Sequence, residues 1–178
     1  MSSASTETLE LVTPTPKLAE AYLEMCREEI AFDGRLSGIL PATLDELIPF
    51  FDRWRRQERV GDESTGGVPQ STYWLLRNGD GVIGSSTLRH RLTALQEQIA
   101  GHIDCGIRAS VRRKGYGTRL LELTLAKARL MGLREVLVMC RKANAVSARV
   151  IERNGGVLLG ECCRPSDGEP ILRYRIGL

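Results

Sequence analysis

Residues 112–118 read Arg-Arg-Lys-Gly-Tyr-Gly-Thr, the segment of the chain best suited to chemistry. Gly115 and Gly117 permit a tight turn and leave main-chain N–H groups uncovered. A helical apolar pattern starts at Gly117, so these N–H groups coincide with the unpaired amides and positive dipole end of a helix. Such a terminus binds anions, phosphate and pyrophosphate above all. Arg112, Arg113 and Lys114 bring positive charge to its entrance, and Tyr116 and Thr118 complete the turn. Other phosphate loops do not fit. G-x-x-x-x-G-K-[ST] does not occur, and G-x-G-x-x-G would need glycine where Leu120 stands.

The chain has two histidines, His90 and His102, both upstream of this turn. Imidazole titrates at about 6.5 and offers a lone pair at neutral pH, as a general base must. Asp104 shares a strand face with His102 by alternation, so it either orients the imidazole or is itself the base. A hairpin through 91–100 would bring His90 close to His102. The plainer alternative is two half-buried histidines satisfied by main-chain hydrogen bonds. Cys26, Cys105, Cys140, Cys162 and Cys163 are odd in number and lack C-x-x-C spacing, which argues against a metal site or a disulfide framework. They read as small buried hydrophobes in a reducing cytoplasm.

These residues need a scaffold, and its elements are legible. Leu9–Val12 has strand character, and 17–31 and 44–58 have helical spacing, the latter with Thr43 as N-cap. The period then drops to two over 71–77, 82–90 and 101–107, with Asn78-Gly79-Asp80-Gly81 marking a hairpin. A long helix over 117–131 leads to the apolar run 135–140, a strand buried on both faces. A short helix over 144–154 and strands at 157–160 and 171–176 end the chain. The order predicts an α/β (α+β) fold, a mixed, mostly antiparallel sheet of six or seven strands flanked by about four helices. The strands on either side of helix 117–131 should be parallel, joined by a right-handed crossover.

Composition sets the outer limits. With 178 residues, one domain over 9–178 is expected behind a disordered start at 1–8, and 61–69 reads as a mobile loop. The net charge of +3 is too small to point to nucleic acid. No apolar stretch approaches the roughly 18 residues of a membrane span, and the N-terminus is unlike a signal peptide, so a cytoplasmic chain without membrane partners is expected.

Taken together, the segments resemble the GNAT N-acetyltransferase superfamily. Arg112, Gly115 and Gly117 match its [Q/R]-x-x-G-x-[G/A] loop, and Asn144, Ser147 and Asn154-Gly155-Gly156 match its second element. Leu88-Arg89-His90 and Gly101-His102-Ile103 are similar to strands of poorly characterised bacterial members. The resemblance implies a sheet with a central V-shaped splay and acetyl-CoA, or another acyl-CoA, as cosubstrate. It implies that amides of Arg113, Lys114, Gly115, Tyr116, Gly117 and Thr118 hold the pyrophosphate. The backbone around Cys105 and Ile107 would pair with the pantetheine arm, with Asn144 and Ser147 beside it. It places His102 where many members carry a glutamate base, and Ile151 where they carry a tyrosine acid; Tyr73 and Tyr174 are candidate replacements. Cys140 lies near the thioester but lacks an activating partner.

The implied reaction is transfer of an acetyl group to a primary amine of a small molecule or peptide, by direct attack through a tetrahedral intermediate. A non-catalytic acyl-CoA-binding module is the alternative. A nucleic-acid binder using Arg108, Arg112, Arg113 and Lys114 is less well supported, since few aromatics accompany them. A homodimer is left open.

Overall fold

Apolar residues alternate along most strands, so each strand offers one row to each side of a sheet, and helices cover both sides. The computed structural model describes residues 7–36, 40–60, 67–79 and 81–178. The strands are β1 (Leu9–Val12), β2 (Gln70–Arg77), β3 (Gly81–Arg89), β4 (Ile103–Ile107), β5 (Glu135–Arg141), β6 (Val157–Cys163) and β7 (Pro170–Gly177). They form one seven-stranded sheet in the order β1-β2-β3-β4-β5-β7-β6. The helices are α1 (Ala19–Phe32), α2 (Leu44–Val60), α3 (Ala94–Ile99), α4 (Tyr116–Leu130) and α5 (Ala145–Arg153). The mixed, mostly antiparallel architecture is the one expected. Among the described residues no helix is long and apolar enough to cross a membrane.

One face packs on α4 and α5. Tyr73, Leu75, Leu88, Ile103, Val136 and Val138 of the sheet meet Leu120, Leu121, Leu125 and Ile151 there. Burying each such aliphatic side chain stabilises by about 1.5–3 kcal/mol. Ser86 and Thr124 form a buried hydroxyl pair at 2.8 Å and fix the height of α4 on β3. The other face packs on α1 and α2 through an aromatic knot, in which Tyr22 stacks on Trp74 at 4.4 Å while Trp54 and Phe51 meet it edge-on.

All neighbouring strands are antiparallel except β4 and β5, which α4 joins by a crossover. Those two touch at Ile103–Val138, supplemented by an isolated bridge from Gly101 to Val138. Beyond Ile103 they diverge, which is the expected splay.

Three expectations need comment. Residues 91–100 do not form a plain hairpin connection: they contain α3, opened by a capping box between Thr93 and Gln96. That helix raises the count to five and carries the connection across to β6 and β7, where the Gln98 and Glu97 carbonyls accept from Cys162 Sγ and Arg173 Nη2. The hairpin turn includes Asp80, which lies outside the described residues, as do 1–6 and 61–66. The last two strands run longer than expected, to Cys163 and Gly177.

Gly101 has φ +75, and a Cβ there would sit 2.5 Å from the Leu137 carbonyl oxygen. Gly101→Ala is therefore expected to cost about 3 kcal/mol, since a strained φ and an overpacked contact add. Urea unfolding checks this, and a change below about 1 kcal/mol would mean the seam tolerates a methyl group.

Candidate active site

Gly115 (φ 86) and Arg113 (φ 64) both adopt left-handed conformations at the turn into α4. Alternating hand makes successive N–H groups converge into an anion-binding concavity. Among the described residues the N–H groups of Arg113, Lys114, Gly115, Tyr116 and Gly117 have no acceptor. The Thr118 amide differs from this set, because it donates to the Gly115 carbonyl at 3.1 Å. A Cβ on Gly117 would make ordinary contacts with Val150 and Ile107, at 3.5 and 3.8 Å. Packing within the chain thus does not demand glycine there, whereas a ligand resting on the amides would. The turn fits a phosphate-bearing group.

The basic run divides. Arg112 Nη2 pairs with Glu29 at 2.6 Å, its Nε donates to the Ile107 carbonyl at 2.8 Å, and its guanidinium covers Phe32. Arg108 Nε pairs with Glu28 at 2.5 Å. Glu28 also accepts from the Ser110 hydroxyl at 3.0 Å and from the Ser110 amide; burial, the largest single influence, pushes its carboxyl up, but Arg108 and the two Ser110 donors together hold it below the usual range. Thus Arg108 and Arg112 brace the turn against α1. Arg113 and Lys114 have no charged partner among the described residues and stay available to a ligand.

The splay supplies a second binding feature. Register with β3 turns the His102 carbonyl and the main-chain groups of Asp104 and Gly106 toward β3, so those of Ile103, Cys105 and Ile107 point toward β5. Past Ile103, among the described residues, nothing there meets them except Arg112, which takes the Ile107 carbonyl. Cys105 keeps both its N–H and C=O open to the gap.

His102 sits at the apex. Its main-chain N–H donates to the Leu137 carbonyl at 2.7 Å, and its Nδ1 accepts from the Leu137 N–H at 3.0 Å. A neutral imidazole has one acceptor nitrogen, so this bond leaves the proton on Nε2. Burial, then the Arg89 guanidinium, push its pKa below the ordinary value, against partial opposition from Glu97 and Glu135. The ring is a neutral pin between β4 and β5, and its lone pair is engaged.

Asp104 shares that face, as alternation requires. It is exposed and pairs with Arg89 Nη2 at 2.7 Å, while Arg89 Nη1 donates to the Gly101 carbonyl at 3.0 Å. His90 does not join them. It follows Arg89, which stands opposite His102, so its side chain projects to the opposite face. There its Nε2 lies 2.9 Å from Ser71 Oγ, which donates to Glu58 at 3.1 Å. The two histidines are near in the sheet, but their imidazoles point apart.

On the α5 side, Asn144 is the N-cap: its Oδ1 accepts from the Ser147 amide at 3.0 Å, and Ser147 does not cap. The Asn144 Nδ2 remains free among the described residues. Ile151 is buried in the core. Of the candidate replacements, Tyr174 donates to Glu152 at 3.1 Å, and burial and that carboxylate push its pKa up to about 12. Burial raises Tyr73 as well. The Tyr116 hydroxyl is tied to Glu7 at 2.8 Å. Burial, then Glu152, raises the Cys140 thiol, which makes it a poor nucleophile. Sequence reasoning missed the bracing glutamates Glu28 and Glu29, which lie about 80 residues before their partners in the chain; no local motif could have signalled them.

Comparison with known proteins identifies the family and the fold. A family model described as an acetyltransferase (GNAT) domain matches residues 8–157. None of the curated proteins matches the chain. Among solved structures, RimL, a ribosomal alpha-N-protein acetyltransferase in complex with coenzyme A, superposes with TM-score 0.72 at 17% identity, covering 99% of this chain and 97% of that one. An N-acetyltransferase from Staphylococcus aureus gives TM-score 0.65 at 18% identity over 96% and 98% of the two chains. The yncA protein of Salmonella typhimurium, solved with its cofactor acetyl-CoA, gives TM-score 0.62 at 12% identity over 96% and 94%. At these identities the structures show a shared fold.

Because folding depresses the His102 pKa, its contribution to stability is complete above the unfolded value of about 6.5 and is lost as pH falls through the folded value. His102→Asn keeps an acceptor for Leu137 without titrating. It should lose less stability than wild type between about pH 7.5 and pH 5.5 in urea unfolding, whereas His102→Ala should cost about 1–3 kcal/mol at the higher pH and less at the lower. Equal pH slopes for wild type and His102→Asn would show that the ring does not titrate with unfolding.

Proposed function

This chain belongs to the GNAT acetyltransferase family, and we propose that it moves an acyl group from acyl-CoA to an amine held on the opposite face of the sheet. The observation that carries the reading is the set of unpaired amides at Arg113–Gly117, beside a strand whose Cys105 main chain is open to the splay. The bound coenzyme A and acetyl-CoA of RimL and yncA support it. We treat residues 9–178 as one acetyltransferase domain.

Acyl-CoA would supply the acyl group as an activated thioester. The amides of Arg113–Gly117, with Arg113 and Lys114, would hold its diphosphate. Cys105 would pair through its main chain with the pantetheine amides as an added strand would, and Asn144 Nδ2 would donate from the far side. The Cys105 N–H is the donor best placed to stabilise negative charge developing on the acyl oxygen. Because the turn belongs to the α4 side, the amine must approach from the α1 and α2 side.

An amine with a pKa of about 10.4 must lose a proton before attack. Asp104 is exposed on that face and is the base we favour; Arg89 fixes its position. His102, its Nδ1 engaged, acts as a positioning residue that holds the apex of the splay. No tyrosine is poised to protonate the thiolate, so solvent does so, which a thiol of pKa about 8.5 allows. Ile151 in place of the usual tyrosine also favours a second reading, acyl-CoA binding without turnover. Thiol release with acetyl-CoA across an amine panel separates the two.

Gly117→Trp should abolish acetyl-CoA binding by calorimetry while leaving unfolding stability within about 1 kcal/mol, since the backbone there is ordinary and a Cβ fits. Unchanged affinity would defeat the assignment of the turn. Asp104→Asn should lower kcat a hundredfold or more, on the order expected for a lost general base, with little change in acetyl-CoA affinity. Equal kcat would remove Asp104 from the chemistry. Glu28→Ala frees Arg108 and Ser110 and should weaken acetyl-CoA binding roughly tenfold, a loss expected when a preorganised turn becomes mobile; full affinity would show that the brace is dispensable.

A further inference from the structure

The face that carries Asp104 continues past the splay. Cross-strand register places Thr72 of β2 opposite Thr87 of β3, and Thr87 opposite Asp104 of β4. All three side chains therefore point to the α1 and α2 side. Thr72 and Thr87 are half-buried and Asp104 is exposed, so the row is an accessible floor. Neither threonine hydroxyl has a hydrogen-bond partner among the described residues. The next row along is Trp74, Ser85 and Gly106, of which Trp74 lies fully buried beneath the helices, Ser85 is half-buried and Gly106 is exposed. The floor is thus a trough across three strands along the edge of the helical cover. Two strand spacings separate Thr72 from Asp104, about 10 Å.

At its Thr72 end the trough opens into a cavity of about 240 Å³ lined by Thr13, Pro16, Trp54, Arg55, Glu58 and Thr72, among others. The charges there are unequal in availability. Arg55 is paired with Asp52 at 2.6 Å, while Glu58 has the Ser71 hydroxyl as its hydrogen-bond partner and no cation among the described residues. A carboxylate without a cation beside the half-buried indole of Trp54 suits a positive group.

We propose that the acceptor is an elongated amine with a second cationic group on the order of 10 Å from the reacting nitrogen. The reacting end lies at Asp104, the aliphatic stem over Thr87 and Thr72, and the second cation in the cavity between Glu58 and Trp54. This rests on the acyl-transfer reading and names the substrate class for it. A simple monoamine leaves the cavity unfilled, and an acceptor with a carboxylate at the remote end meets Glu58 unfavourably.

The test is a series of linear diamines from diaminobutane to diaminodecane, with spermidine, each beside the monoamine and the amino acid of equal length. Thiol release with acetyl-CoA and calorimetry of the amine alone are measured in parallel on the full chain. Among the longer members the diamine should exceed its monoamine roughly tenfold in kcat/KM and in affinity, as one partly desolvated cation contact gives. Glu58→Gln should bring that ratio close to one, and Glu58→Lys below one; both changes are at an exposed helix position and preserve the fold. A ratio near one in wild type, a preference for the shortest diamine, or the same ratio in Glu58→Gln would overturn the proposal. Tight, Glu58-dependent binding of long diamines without thiol release would uphold this site and overturn the transfer reading.

Discussion

The organising constraint is a seam only a few residues long. β4 and β5 are parallel neighbours in an otherwise antiparallel sheet, and they are bonded where Ile103 meets Val138 and then part. A parting that left main-chain groups buried and unpaired would be costly, each orphan group worth about 1–3 kcal/mol. It is tolerable because the opened groups, those of Cys105 foremost, face a gap that solvent or a ligand fills. The apex is held tightly by contrast. Gly101 allows backbones to approach closer than any side chain would permit, and His102 binds both the carbonyl and the N–H of Leu137.

A second layer of control comes from α1. Glu28 and Glu29 accept from Arg108, Arg112 and the Ser110 amide, tying the end of β4 and the entry to α4 into one charged network. Its members are half-buried, where ion pairs are worth more than on the open surface, provided each carboxylate is well supplied with donors. Glu28 meets that condition better than Glu29, whose Oε1 is buried without a partner among the described residues. The network also redistributes charge, because two arginines of a basic run are neutralised locally and Arg113 and Lys114 are left beside the unpaired amides. A run that looks like a uniform basic patch is structurally half brace and half ligand site, which weakens the reading of Arg108 and Arg112 as nucleic-acid contacts.

Legibility in the sequence tracked locality. The turn at 113–118 was readable because glycine spacing and a following helical period are local signals, and the left-handed Gly115 is their direct consequence. The mostly antiparallel sheet and the β4–β5 crossover followed from element order and handedness, whereas the insertion of β7 between β5 and β6 is a register choice that no local signal marks. The helix at 94–99 was missed although Thr93 and Gln96 spell a capping box, because six residues carry too little apolar periodicity to stand out. The relation between the histidines failed for a different reason. Alternation along one strand says which residues share a face, but the relative facing of His90 and His102 depends on register between strands, fixed here by Arg89 standing opposite His102. The state of His102 was likewise out of reach, since the group that engages its Nδ1 comes from Leu137, 35 residues on.

The sheet also separates two tasks by face, and the separation follows from connectivity. A right-handed crossover puts α4 on one side, and with it the turn whose amides stand open. The β1-to-β2 segment, with α1 and α2, must then cover the other side, where these helices bury Trp74 and Leu76 but leave Thr72 and Thr87 half-buried. The splay is the place where the two sides communicate. A ligand that bridges from the α4 turn through the gap would present its reactive end to the trough without the sheet having to move. Residues that set affinity for that ligand and residues that choose its reaction partner therefore lie on opposite faces, and those substitutions in the two sets that lie more than about 7–10 Å apart and share no contacts should combine nearly additively.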